Sequence, residues 1–278
     1  MNIRPGQALP YLLVLPGTLI VLGLLVLPVA DTFTGTIGPE GDRLALYRQF
    51  FSYDYNITVI VRSVRVALVT SVLSLVLGYF AASVIARASG LWRQILLVCA
   101  VFPLLTGAIV RSFAWMIVLG RNGLLNSTLL SLGIINEPIP LLFTEVSLIL
   151  GLVYLFTPLA VLSLIGVIEA IDRSIIDAAT SLGASPRAVF RQVTLPLIAP
   201  GLLVGGVLVF TGSLAAFATG RLLGGEAETI LPTLLNEKAM ISFDWDAAGV
   251  IAVVMVAITF AVVLVGQFAA RRLNPSAG

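Results

Sequence analysis

Three charged side chains at the ends of apolar runs, Arg111, Glu145 and Arg221, and the nearby aromatic residues Phe113, Trp115 and Tyr154 are where this sequence could meet a ligand. A carboxylate beside aromatic rings holds a cation by charge and cation–π attraction, whereas a guanidinium suits an anion. Each has a plainer reading as well. Glu145 can rest among lipid headgroups, the rings can belong to an interfacial belt, and Arg111 can anchor a helix by reaching to water. Covalent chemistry has little to work with: with no His and one Cys, Cys99, there is no imidazole base, no internal disulfide and no Cys/His zinc site. No catalytic and no metal-ligating residue can be named. An ATP-binding P-loop needs Gly-Lys-Ser/Thr, and the only Lys, Lys238, lies between Glu237 and Ala239. A net charge of +2, spread along the chain, gives nucleic acid no footprint.

The elements that must carry these residues follow from composition. The chain is 59% apolar and 11% charged, against about half and a quarter in soluble domains, so it cannot cover a soluble surface and belongs in a bilayer. Crossing ~30 Å of hydrocarbon takes about 20 helical residues. Uncharged stretches of that length occupy residues 11–30, 146–168, 192–220 and 247–270, and two more, 63–86 and 94–119, each carry one Arg towards an end, Arg65 and Arg111. Backbone groups in lipid must be satisfied within the segment and these runs are too long for barrel strands, so the expected fold is all-α with six transmembrane helices. The first run follows Arg4 like a signal peptide, but it is longer than a usual signal core and Pro28-Val29-Ala30 is a poor cleavage site, so it is expected to remain as a helix. Raw Arg/Lys counts on the two sides tie at eight each. The Arg87/Arg93 connection and Arg271-Arg272, lying right at span ends, favour cytoplasmic termini. Connections 31–56, 120–144 and 221–246 then lie outside. In the fifth run Gly201, Gly205, Gly206 and Gly212 point to close helix packing.

The one long inner loop, 169–196, reads as two short helices. Asp172 can cap the first, whose apolar positions Ile175, Ile176, Ala179 and Leu182 follow helical spacing. Gly183 stands where a left-handed residue ends a helix. Ser185 offers a second cap with Pro186 in the first helical position, and the chain runs on through Arg187, Phe190 and Arg191. The product is a helix-turn-helix knob, or an amphipathic connector lying on the membrane surface.

Asp177-Ala178-Ala179, then Gly183, then Val193-Thr194-Leu195-Pro196 resembles the "EAA" loop of ABC-importer permease subunits, with Asp for Glu at 177 and Val for Ile at 193. Leu77-Gly78-Tyr79, the stretch from Val110 to Trp115, the stretch from Leu119 to Asn126 and Leu222-Leu223-Gly224-Gly225 resemble the spermidine/putrescine branch of that family. The resemblance implies a type I importer fold and a single permease domain over residues 1–278 in a bacterial inner membrane. It implies that Asp177, Ala178, Ala179, Gly183, Ser185, Pro186, Arg187, Leu195 and Pro196 contact a cytoplasmic ATPase. Two ATPase subunits would hold ATP and Mg, and this chain would bind no cofactor. A second permease subunit, identical or homologous, and a periplasmic or extracellular substrate-binding protein would complete the assembly, surrounded by membrane lipid.

The same resemblance frames the solute. Polyamine permeases typically carry Gly-Glu-Phe-x-x-Pro ahead of the Leu-x-Gly-Gly stretch, and here Ala215-Ala216-Phe217-Ala218-Thr219-Gly220 is followed by Arg221. An acid is missing and a cation follows. A polyamine wants carboxylates, so an anionic or zwitterionic solute, such as a phosphonate, or a metal complex stands beside the polyamine-like one. Arg111, Trp115, Glu145, Tyr154, Ala216 and Arg221 are the candidate pathway residues. An ion-driven secondary transporter would favour buried acids at mid-membrane, which four uncharged spans argue against. An intramembrane enzyme would need a catalytic constellation that the chain lacks.

Overall fold

The computed structural model describes residues 5–37, 42 and 44–273, with side chains described for 14–24, 26–37, 42 and 44–269. Arg4, which precedes the first run, and the side chains of Arg271 and Arg272, used above for orientation, lie outside the described residues. In order the helices are α1 (Pro5–Gly35), α2 (Ala45–Ser52), α3 (Asp54–Arg87), α4 (Gly90–Leu105), α5 (Ala108–Leu119), α6 (Leu124–Ser131), α7 (Glu145–Glu169), α8 (Arg173–Ser181) and α9 (Pro186–Val189). A π-turn, Phe190–Thr194, leads into α10 (Leu195–Leu214), followed by α11 (Phe217–Thr219), a π-turn Gly220–Gly224, α12 (Leu231–Asn236), a π-turn Glu237–Ile241 and α13 (Trp245–Leu273). Among the described residues six stretches are long and apolar enough to span a membrane: Val14–Gly35, Asp54–Arg87, Ala108–Ser131, Glu145–Glu169, Pro186–Leu214 and Trp245–Ala269.

The number of spans agrees with the sequence expectation, but several of the boundaries do not, and the second span begins at Asp54 rather than 63. The run 94–119 is two helices, because Pro103 cannot donate a backbone hydrogen bond and Thr106 and Gly107 take up extended ψ angles that part α4 from α5. The span there is instead Ala108–Ser131, with α4 a shorter apolar helix before it. The run 192–220 ends at Leu214, where Ala215 and Ala216 leave the helix, and it begins earlier, at Pro186. The connection 31–56 is also shorter than expected, since α1 runs to Gly35 and α3 starts at Asp54.

The chain divides into two compact units. In the first, Met1–Asp54 with Leu235–Val256, the Thr36 hydroxyl hydrogen-bonds the Tyr47 hydroxyl at 2.8 Å, and Thr36 also occupies the space beside Gly249. In the second, Tyr55–Leu234 with Ala257–Gly278, the core joins Val66 of α3, Leu148, Leu152, Phe156 and Ala160 of α7, and Val209 of α10. Nearer the 169–196 loop, Ala82 and Ile85 meet Val161, Leu164 and Ile198. Missing side chains permit this closeness. A Cβ at Gly78 would stand 2.6 Å from Ala160 Cβ, and one at Gly201 2.9 Å from the Ser163 carbonyl oxygen. Small residues let helix backbones approach within lipid, where no hydrophobic effect drives them together.

Candidate functional site

The knob between α7 and α10 is built from local capping chemistry. Asp172 Oδ1 accepts the Ser174 N–H at 2.9 Å, and that backbone hydrogen bond holds the Asp172 carboxyl below its usual range. At the other end of α8, Gly183 has φ +83°, donates to the Thr180 carbonyl at 2.9 Å, and lets Ala184 donate to the Ala179 carbonyl at 3.1 Å. This pair of bonds is a Schellman motif with glycine in its left-handed position. Ser185 Oγ then accepts the Ala188 N–H at 3.4 Å and Pro186 opens α9. The base of the knob is fixed where Glu169 accepts from Arg93 Nη2 at 2.7 Å, and where the Phe190 ring packs against Tyr79 with centroids 5.5 Å apart.

The apolar positions expected for the first loop helix are in register on α8 but have little to pack on. α8 has no buried residue, and Leu182 just beyond it is 89% exposed. Asp177, Ala178, Ser185, Pro186, Arg187, Leu195 and Pro196 are exposed, as is Gly183, and Ala179 is half-buried. Among the described residues Asp177 has no ion pair.

The pathway candidates separate into groups. Arg111 is 6% exposed, so it does not reach to water as an anchor. Its Nη1 donates to the Pro103 carbonyl at 2.6 Å and the Thr106 carbonyl at 3.1 Å, satisfying the open end of α4. The break in the third run thus explains the buried arginine. Trp115 and Tyr154 meet edge to face at 5.7 Å and, with Arg111, line a cavity of about 330 Å3. Glu145 is not with them: nine residues before Tyr154 on α7, it sits ~13 Å away along the axis. Both its carboxylate oxygens are taken by Arg65, with Nε to Oε1 at 3.0 Å. Ala216 packs partly against the α3–α7–α10 core, while Arg221 is exposed and pairs with Glu226 at 3.5 Å.

Sequence reasoning missed the residues that hold the segment after Ala216. Ser147 Oγ donates to the Leu223 carbonyl at 2.9 Å, and Ser63 Oγ accepts the Leu231 N–H at 2.8 Å. Arg62 pairs with Glu228 at 2.9 Å and donates to the Ala227 and Thr229 carbonyls at 3.1 and 3.2 Å. Arg62 lies one residue before the predicted second span. Its usable signal was charge on a helix continuous with that span.

A family described as the inner membrane component of binding-protein-dependent transport systems matches residues 74–278. The chain belongs to this family. The permease is 32% identical over 216 residues to the spermidine/putrescine transport system permease protein PotB of Escherichia coli K12, covering 78% of each chain. It is 31% identical over 162 residues to a putative 2-aminoethylphosphonate transport system permease, PhnU, of Salmonella typhimurium, covering 58% of this chain and 57% of the relative. In fold it is similar to a chain of a bacterial alginate ABC transporter, with TM-score 0.80, 16% identity and coverage of 96% and 95%. A chain of the MetNI methionine transporter gives 0.59 and 16%, with coverage of 78% and 95%. The permease is therefore the transmembrane subunit of an ABC importer, a multi-pass protein of the bacterial inner membrane, and ATP hydrolysis belongs to a separate subunit. The family is that of binding-protein-dependent transport systems, so a substrate-binding protein is among its partners.

Proposed function

We propose that the 169–196 loop is the coupling element of the permease and faces the cytoplasm together with both termini. Residues 1–278 act as one permease domain. Two ATPase subunits, holding ATP and Mg, dock on the knob, and a second permease subunit, identical or homologous, completes the pathway. A periplasmic or extracellular binding protein delivers the solute. The observation carrying this reading is that α8 leaves Ile175 and Leu182 exposed on a rigidly capped helix outside every spanning stretch. An unburied apolar face with small residues, Ala178 and Ala179, beside it suits a protein groove. Asp177 offers that groove a carboxylate. Solute-stimulated ATP hydrolysis by an Asp177→Ala variant in proteoliposomes tests the reading: the complex assembles and stimulation falls. Wild-type stimulation would remove Asp177 from the contact.

The solute proposed is a small amine-bearing molecule of the polyamine class, supported by the 32% relative. A second reading, an anionic or zwitterionic solute such as a phosphonate or a metal complex, is favoured by the pairing of Glu145 with Arg65, which leaves that carboxylate no charge to offer a cation. Arg111, Trp115, Tyr154, Ala216 and Arg221 remain the pathway residues on either reading. Uptake of labelled spermidine and putrescine against labelled 2-aminoethylphosphonate, each with the cognate binding protein, separates the two.

A further inference from the structure

A second cavity, of about 540 Å3, lies beneath the knob, between the last turns of α3 and α7 and the first turns of α8. Arg87, Arg173, Asp177 and Glu169 bring their charges to its wall. Glu169 is neutralised by Arg93 from outside the cavity. Among the described residues Arg87 and Arg173 have neither an ion pair nor a side-chain hydrogen bond, so the wall carries one surplus positive charge. Arg173 does not serve α8, since a cation in a first helical turn opposes the helix dipole. Tyr79, Ser83 and Thr194 add hydroxyls to the wall, and Ile168, Ile171 and Ile176 give it an apolar side.

We propose that this cavity binds the phosphodiester headgroup of an anionic phospholipid, phosphatidylglycerol, with Arg87 and Arg173 on the phosphate. The charge fits, because a phosphodiester brings a negative charge to two arginines that have no other ion pair among the described residues, whether Asp177 stays at the wall or turns to the ATPase. So does the depth: Arg87 and Glu169 close two spanning helices, which puts the cavity at headgroup level, and the isoleucine side suits the glycerol and first acyl carbons. A bound headgroup wedges α8 against the ends of α3 and α7. Its effect on ATP hydrolysis rests on the coupling role proposed above, whereas its binding does not.

The test uses the permease–ATPase complex in detergent, titrated with short-chain phosphatidylglycerol, phosphatidylcholine of the same chains, and inorganic phosphate, with retained lipid read by native mass spectrometry. Phosphatidylglycerol is expected to bind at least about tenfold tighter than phosphatidylcholine, and Arg87→Gln or Arg173→Gln to weaken it by about that factor. Arg191→Gln, an exposed arginine outside the cavity wall, is expected to leave binding unchanged. Complex assembly on size exclusion checks folding for each variant. Equal binding of phosphatidylcholine, equal loss in Arg191→Gln, or displacement by equimolar inorganic phosphate would overturn the lipid assignment. Binding to the permease alone that vanishes in the complex would give the cavity to an acidic side chain of the ATPase instead. Loss of lipid binding with ATPase stimulation unchanged would overturn the wedge and leave the coupling reading intact.

Discussion

Gly183 is the position where a single atom group separates the coupling reading from a plain surface connector. Its φ of +83° belongs to the left-handed region, and a Cβ there would meet nothing within 4 Å, so the penalty of any substitution comes from the backbone alone. For a β-branched residue that penalty is about 1–3 kcal/mol. If it is relieved by opening the Schellman bonds to Thr180 and Ala179, the capped knob loses roughly 5- to 150-fold in population against rearranged forms. Asparagine tolerates the left-handed region, so solute-stimulated ATP hydrolysis in proteoliposomes should fall in the order Gly, Asn, Ala, Val. Membrane insertion should be equal throughout, because no spanning helix includes residue 183. Full stimulated hydrolysis and uptake by Gly183→Val would refute the reasoning, since a knob that tolerates its own unwinding transmits nothing.

Gly78→Ala should cost about 1–3 kcal/mol by forcing α3 off α7 at Ala160, and Ala160→Gly in the same chain should recover part of it, since the backbone at Ala160 C and Val161 N, 3.1 and 3.2 Å from the new Cβ, stays in place; a double-mutant cycle by thermal unfolding in detergent checks this. Asn126 is fully buried, donates to the Gly120 and Ile139 carbonyls at 3.2 and 3.0 Å, and accepts the Ile139 N–H at 2.9 Å. Asn126→Ala should cost about 1–3 kcal/mol for each group left unpaired, read in the same assay. Exchanging the partners, Arg65→Glu with Glu145→Arg, should restore uptake lost in either single variant if the pair is positional; failure of the exchange would mean that one of the two charges meets the solute.

The loop was legible because its signals are local. Asp172, Gly183, Ser185 and Pro186 each act within four residues, and each is found in the role its type and spacing suggest. Span number was legible for the same reason, since hydrophobic length is a property of contiguous sequence. What escaped depends on distant partners. Nothing near Glu145 in sequence announces Arg65, eighty residues earlier, and nothing near Ser63 announces Leu231. Arg111 has two readings in the sequence, pathway residue and anchor, and the anchor fails because the run around it is not continuous. Pro103 and Gly107 together were the missed sign of a helix end that needs a donor. The break at Ala215 carries no proline and only small residues, so no local rule marked it.

From Pro186 to Leu214 the chain is one helical rod of 29 residues, unbroken by the π-turn, and so about 43 Å long. Its close approach to α7 is not confined to one point: Gly201 and Gly205 lie against Ser163, and Gly212 lies against Phe156. Those contacts span about 11 residues, ~17 Å at 1.5 Å per residue. A rod clasped over that length cannot rock on a pivot. A displacement of the knob would therefore reach the segment from Ala215 onwards as a shift that α7 and α10 make together.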